Sequence, residues 1–121
     1  MDHLDDLVSH VRAAGLPVDL HVAGEPRSLS PGVDVSAYRI LQEALTNVLK
    51  HAGPARARVV VRYLPHALEL EVADDGRGPV DGPVGGHGLV GMRERAVLVG
   101  GVLESGPGNG RGYLVRASLP T

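Results

Sequence analysis

The chain has 121 residues, a length typical of one folded domain, and 43% of them are hydrophobic, without any Phe or Trp. Its core must therefore be built from aliphatic side chains. Because it has no cysteine, disulfides, thiolate metal sites and cysteine nucleophiles are excluded. The formal net charge of -2 argues against a general nucleic-acid binder. The acidic start "MDHLDDLVSH" is unlike a signal peptide, and no apolar run approaches a membrane span. We therefore expect a cytoplasmic protein, or a cytoplasmic piece of a larger one, without membrane contact.

The first half of the chain predicts a helix, a strand and a second helix. Four aliphatic residues of "HLDDLVSHVRAAGLP" recur at helical spacing, and a glycine and a proline end that segment. "VDLHVAG" alternates apolar and polar residues, which predicts a half-buried strand. The longest helix is expected from about Val35 to His51, with Asp34 or Ser36 as N-cap. Its predicted core stripe consists of Tyr38, Leu41, Leu45, Val48 and Leu49.

The segment "ARVVVRYLPHALELEVADD" predicts a β-hairpin that turns at Pro65-His66. A two-residue turn would place Val61 opposite Leu70 on one face. On the other face, the same register would place Arg62 opposite Glu69, which is a favourable cross-strand pair. Both faces therefore agree on one register.

The remainder predicts a long loop over residues 76–88, a third helix over 89–99, and two closing strands, "VLES" and "YLVRASL". The element order is thus α-β-α-β-β-loop-α-β-β, without an internal repeat. It predicts a single α+β domain over residues 1–121, a two-layer sandwich. Its mixed, mostly antiparallel sheet of about five strands would carry three helices on one face.

The stretch "GGHGLVGMRERA" contains the dinucleotide-binding pattern G-x-G-x-x-G, from Gly86 to Gly91. That site requires a strand directly before the first glycine, and here the nearest strand ends near Ala73. The context therefore argues against NAD or NADP. Glycines at a helix N-terminus still present backbone N–H groups and a positive dipole end to an anion.

The central helix carries a second pattern, in which Glu43, Asn47 and Lys50 share one face. A solvated polar face is the plain interpretation. However, a neutral amide between an acid and a base adds little to helix stability. The amide oxygen of Asn47 is a suitable ligand for Mg²⁺ that bridges phosphates.

The hairpin ends in Asp74-Asp75-Gly76-Arg77-Gly78, which alone could be a plain Asp-Gly turn. Alternatively, a carboxylate at the strand end would accept a hydrogen bond from a ligand amino group. Gly76 and Gly78 would then leave room for a flat ring.

Together, E-A-L-T-N-V-L-K-H-A, D-D-G-R-G and G-H-G-L-V-G-M resemble, in this order, the N, G1 and G2 boxes of the GHKL superfamily. The superfamily has the Bergerat fold and includes sensor histidine kinases, gyrase-type ATPases and Hsp90. With G-H-G-L-x-G-M-R-E-R-A, the chain is most similar to the catalytic ATP-binding (HATPase_c) domain of NarL-partnered and DesK-like sensor kinases. The resemblance extends from about Val18 to Pro120.

The resemblance implies Mg-ATP as ligand and a transfer of its γ-phosphate to a histidine in two-component signal transduction. Asn47 would hold Mg²⁺ against the triphosphate, and Lys50 and His51 would approach the phosphates. Glu43 matches the general base of hydrolysing relatives, and here it would help the acceptor histidine lose its proton.

The other two boxes imply the rest of the nucleotide site. Asp74 would accept from the adenine amino group, with Gly76 and Gly78 lining the adenine pocket. The lid end and the start of the third helix would meet the phosphates through Gly86, His87, Gly88, Leu89 and Met92, and His87 could equally be a solvent-exposed lid residue.

Two features depart from the family pattern. The position that often holds a threonine before the last strand matches Gly112-Tyr113, so no polar role is carried over. Tyr113 alternates with core positions and is expected in the core. None of the six histidines matches a phosphoacceptor, since His3 and His10 lack a following acid. The chain therefore resembles an isolated catalytic domain, a monomer, that needs a separate dimerisation and phosphoacceptor domain and acts only indirectly on a response regulator.

Two other interpretations remain open. One is a free-standing anti-sigma-factor serine kinase of the same fold, which would have about this length. The other is a non-enzymatic globular domain whose glycines are all structural, and which Mg-ATP would not stabilise.

Overall fold

The computed structural model describes residues 3–76, 88–108 and 112–121. Their elements follow the predicted order. The helices are α1 (Leu4–Ala13), α2 (Pro31–His51) and α3 (Leu89–Leu98). The strands are β1 (Val18–Ala23), β2 (Ala57–Leu64), β3 (Ala67–Asp74), β4 (Val102–Pro107) and β5 (Tyr113–Pro120).

The five strands form one mixed sheet in the order β1-β2-β3-β5-β4. β1 runs parallel to β2, and the other neighbours are antiparallel. The predicted hairpin register is confirmed, since Val61 pairs with Leu70 and Arg62 with Glu69. Turn length and alternation were sufficient because a shift by one residue would move every side chain to the opposite face.

One face of the sheet is apolar and packs against the helices. Ile40, Leu41 and Leu45 of α2 are almost fully buried in this core, together with Leu70 of β3. The opposite face carries charged ladders, such as the pair between Arg62 Nη1 and Glu71 Oε2 at 3.4 Å. The α+β sandwich predicted from the sequence is therefore confirmed.

The start of α2 differs from the prediction. The helix begins at Pro31 after Ser30, about one turn earlier than expected, so neither Asp34 nor Ser36 is the N-cap. Proline at the first helical position lacks only an N–H that would have no helical partner, and its fixed φ suits the helix. Ser36 is instead buried inside α2.

The predicted apolar stripe of α2 was partly wrong. Leu41, Leu45 and Val48 are buried and the half-buried Tyr38 packs against the core, as predicted, but Leu49 is 38% exposed. The buried face of α2 also includes Val33, Ala37, Ile40 and Ala44.

Candidate functional site

The polar face of α2 meets the N-terminus of α3. Glu43 and Asn47 are half-buried there, whereas Lys50 is exposed. Gly88, the N-cap of α3, has φ +77°, and a Cβ added to it would lie 2.7 Å from both Cγ and Cδ of Glu43. Glycine therefore provides both the left-handed backbone and the space that this contact needs.

Glu43 has no hydrogen bond or ion pair within residues 3–76, 88–108 and 112–121. A half-buried carboxylate usually finds a donor, because lost hydration is otherwise uncompensated. The Glu43 carboxylate is therefore suited to gain a hydrogen-bond donor when a ligand or a second protein binds.

The C-terminal end of the same helix meets the end of β3. The Gly76 N–H donates to Asp74 Oδ1 at 2.8 Å. Gly76 is buried, and a Cβ added to it would lie 2.6 Å from the Cβ of Ala52, the C-cap of α2. Glu43 and Ala52 are nine residues apart, about 14 Å along the helix axis. The two glycine contacts therefore hold the two predicted boxes against the same helix, α2, at different heights.

Burial raises the pKa of Asp74 above its ordinary value, and the neighbouring Asp75 raises that pKa further. Hydrogen bonds from the backbone N–H groups of Gly76 and Tyr113 act in the opposite direction. The Asp74 carboxyl is thus a partly desolvated hydrogen-bond acceptor. Its negative charge is unfavourable there without a partner, so a ligand that donates a hydrogen bond to it is favoured.

Gly112 supports Asp74 from the neighbouring strand. It has φ +83°, and a Cβ on it would overlap the Asp74 carbonyl oxygen and lie 3.0 Å from Asp75 Cα. No role was predicted for Gly112 from the sequence, although a glycine directly before a strand was a usable signal. Tyr113 is half-buried against the core, as its alternation predicted.

The other predicted residues lie around these two contacts. Leu89 and Met92 are buried in the core under the first turn of α3. His51 is half-buried in the last turn of α2. Gly78, Gly86 and His87 lie outside the described residues.

Two arginines near this site were missed by the sequence analysis. Arg39 and Arg95 line a cleft of about 260 Å³ between α2 and α3, together with Glu43 and Gly88. The available signal was positional, because Arg39 precedes Glu43 by one helical turn and therefore lies on the same face.

A larger depression, of about 450 Å³, lies at the strand ends and includes residues of the open sheet face such as Arg58 and Arg116. It reaches Asp74 but none of the helical residues of the candidate site. The contacts of Gly88 with Glu43 and of Gly76 with Ala52 lie on the helical side, against α2.

In the part of the chain that the structure describes, no helix combines the length and apolarity needed to cross a membrane. Within the same residues, no cluster of three or more His, Asp or Glu side chains is arranged to hold a metal ion.

Residues 32–121 match the protein family described as "Histidine kinase-, DNA gyrase B-, and HSP90-like ATPase". The chain belongs to this HATPase_c family. Sensor histidine kinase YxjM of Bacillus subtilis is 39% identical over 108 residues, which cover 88% of this chain and 26% of YxjM. The chain spans about a quarter of the length of the curated relatives it matches.

Solved structures agree with this HATPase_c assignment. A blue-light activated histidine kinase of Erythrobacter litoralis EL346 is 25% identical and superposes with a TM-score of 0.78, covering 98% of this chain and 41% of that one. The catalytic domain of histidine kinase ThkA has a TM-score of 0.72 at 13% identity, covering 98% and 92%. The fold is thus that of a histidine kinase catalytic domain.

Proposed function

We propose that this HATPase_c domain binds Mg-ATP and donates its γ-phosphate to a histidine on the dimerisation domain of a sensor kinase. The observation that carries the proposal is the pair of glycine contacts, Glu43 with Gly88 and Ala52 with Gly76, through which the second and third boxes both lie against α2, the helix of the first box. The curated relatives described above are sensor histidine kinases, which favours a histidine acceptor over the serine of an anti-sigma-factor kinase.

The adenine end lies at Asp74. A desolvated carboxylate that gains a hydrogen bond from the adenine amino group regains part of its lost hydration. Gly76 is held against Ala52, so the wall beside the ring is backbone without a protruding side chain. Gly78 would extend this wall.

The phosphate end lies toward the N-terminus of α3. Gly88 and the first turn of α3 supply backbone N–H groups and the positive end of the helix dipole, and Gly86 and His87 would extend this cradle. Leu89 and Met92 anchor the turn in the core, and Lys50 and His51 supply cationic or donor groups at the end of α2.

The donor set fits Mg²⁺. Asn47 offers a neutral hard oxygen on the same face of α2 as Glu43, and Mg²⁺ in nucleotide sites is bound by one or two protein oxygens plus phosphates and water. When bound, the ion neutralises charge that develops on the phosphates. Asn47 would thus help to orient the triphosphate through the ion that it holds.

In the transfer, an imidazole nitrogen of the acceptor histidine attacks the γ-phosphorus. The bond to the β–γ bridging oxygen breaks, and ADP leaves with the electron pair. We propose that the Glu43 carboxylate accepts the imidazole proton, since it has no hydrogen-bond donor in the described part of the chain. The acceptor itself belongs to a separate domain, and a response regulator would then take the phosphoryl group.

We further propose that the domain works in the cytoplasm, where ATP is supplied, and is a monomer by itself.

Calorimetric titration with ATP and Mg²⁺ tests the nucleotide site. Asp74→Asn places an NH₂ group against the adenine NH₂ and should weaken binding about 100-fold. Asp19→Asn is the matched control, because it makes the same chemical change at an exposed position of β1 and should leave affinity unchanged.

Asn47→Ala should weaken binding about tenfold with Mg²⁺ and hardly at all in EDTA, since the lost contact is to the ion. Wild-type affinity in both Asp74→Asn and Asn47→Ala would contradict the site assignment. Absence of binding by the wild type would overturn the proposed function itself.

A further inference from the structure

A side chain completes the last hydrogen-bonded pair between β2 and β3. The final strand pair is Ala57 with Asp74, and the next two residues in this register are Arg56 and Asp75. The Asp75 N–H donates to the Arg56 carbonyl oxygen at 3.2 Å, as in a regular antiparallel pair. The return bond is different, because the Arg56 N–H donates to Asp75 Oδ1, at 2.7 Å. The Asp75 carboxylate therefore takes the place that its own backbone carbonyl would have in a regular pair.

This exchange lets the chain leave the sheet directly after Asp75. The next residue, Gly76, lies against the C-cap of α2, where a Cβ added to it would be 2.6 Å from that of Ala52. The Gly76 N–H donates to Asp74 Oδ1 at 2.8 Å. The bond from Arg56 to Asp75 thus holds the base of the turn that orients the Asp74 carboxylate.

Asp74 and Asp75 lie on opposite sides of the sheet, because successive strand residues point to opposite faces. Asp74 is half-buried, and Gly76 ties its carboxylate to the helical side. Asp75 is exposed and lines the larger depression on the open sheet face. Asp75 therefore supports the end of β3 from behind, away from a nucleotide that binds on the helical side.

The groups that bond to the Asp74 carboxylate are the backbone N–H groups of Gly76 and Tyr113. Both belong to segments that pack beside Asp75. Gly76 follows it directly, and a Cβ on Gly112 would lie 3.0 Å from the Asp75 Cα. Asp75 holds this arrangement through its side chain, so a substitution can remove its contribution without changing the backbone groups.

We propose that Asp75 is a positioning residue for the adenine acceptor, because its bond to the Arg56 N–H fixes the end of β3 and thereby the direction of the Asp74 carboxylate. This role rests on the proposed function. A carboxylate that accepts from a backbone N–H forms a charge-assisted bond, which is shorter and stronger than a neutral one. An asparagine oxygen can accept the same bond, whereas alanine has no acceptor.

Calorimetric titration of the domain with two nucleotides tests the positioning role. Asp75→Ala should weaken the binding of Mg-ATP about tenfold. Mg-ITP has a carbonyl oxygen in place of the adenine amino group, so its affinity does not depend on that contact and should change by less than about twofold. Asp75→Asn keeps an acceptor oxygen and should bind Mg-ATP within about twofold of the wild type. A merely structural role would weaken both nucleotides alike.

Asp19→Ala is the matched control. Asp19 Oδ2 lies 3.6 Å from Arg56 Nη1, so this carboxylate contacts the guanidinium group of Arg56 and not its backbone. The same aspartate-to-alanine change there should leave both affinities within about twofold of the wild type.

Three results would overturn the positioning role: wild-type ATP affinity in Asp75→Ala, equal losses of ATP and ITP affinity in that variant, or an Asp75→Asn variant that binds ATP as weakly as Asp75→Ala. A wild-type domain that binds no ATP would instead refute the proposed function.

Discussion

Replacing Gly88 by alanine tests the contact between the start of α3 and Glu43. Gly88 has φ +77°, where an alanine is strained by about 1 kcal/mol. The new Cβ would also lie 2.7 Å from Cγ and Cδ of Glu43, so that side chain must leave its rotamer, at about another 1 kcal/mol.

The expected loss of unfolding free energy is therefore about 2 kcal/mol. For a domain of this length each 1 kcal/mol shifts the melting temperature by roughly 3–6 °C, so Gly88→Ala should melt about 6–12 °C below the wild type. Scanning calorimetry of the nucleotide-free domain measures this directly.

Gly91→Ala provides the control within the same helix. Gly91 has no positive φ, and a Cβ on it would meet nothing within 4 Å. Alanine is favoured over glycine inside a helix by about 0.5–1 kcal/mol, so this variant should melt slightly above the wild type. The same glycine-to-alanine change is thus expected to have opposite signs at positions three residues apart.

A double-mutant cycle separates the two contributions. In a Glu43→Ala background the overlap disappears, and Gly88→Ala should destabilise by only about 1 kcal/mol, the part caused by the backbone. The reasoning is refuted if Gly88→Ala and Gly91→Ala shift the melting temperature in the same direction, or if the cycle shows no coupling.

Two more predictions concern the end of β3. Because burial raises the pKa of Asp74, the folded state binds the proton of this carboxyl more tightly than the unfolded state, and protonation of Asp74 stabilises the fold. This contribution is lost as pH rises from the usual value of 3.8 through the raised pKa. Asp74→Asn should therefore have a melting temperature no lower than that of the wild type at pH 7.5. Any excess of its melting temperature over the wild type should become smaller as pH falls through that window, and melting curves at several pH values measure this. The ATP affinity of the wild type should decrease as pH falls through the same window, because Asp74 becomes protonated. An ATP affinity that does not change with pH there would contradict Asp74 as the adenine acceptor. Gly76→Ala should lower the melting temperature by several degrees, because its Cβ would lie 2.6 Å from that of Ala52; a wild-type melting curve would show that this contact is not tight.

Local spacing in the sequence was sufficient for much of this fold. The hairpin register followed from Pro65-His66 and the alternation on both sides, since only one pairing put the apolar and the charged residues each on one face. The start of α2 was misjudged because the helix was expected only from about Val35, although proline is favourable at the first position of a helix and Pro31 occupies it. The position of Leu49 depends on which part of α2 the sheet covers, and periodicity alone does not define that.

By itself the sequence determined the element order, the β2–β3 register and the residues of the three boxes, because each depends on neighbours within a few turns or one hairpin. The tertiary structure alone decided that β1 lies parallel to β2, that β5 inserts between β3 and β4, and that α3 runs antiparallel to α2. Those long-range contacts bring Glu43 to Gly88, desolvate Asp74 and place Arg39 beside Arg95 in one cleft. Distances and burial across elements arise only when the layers pack, and the chemistry of this site depends on both.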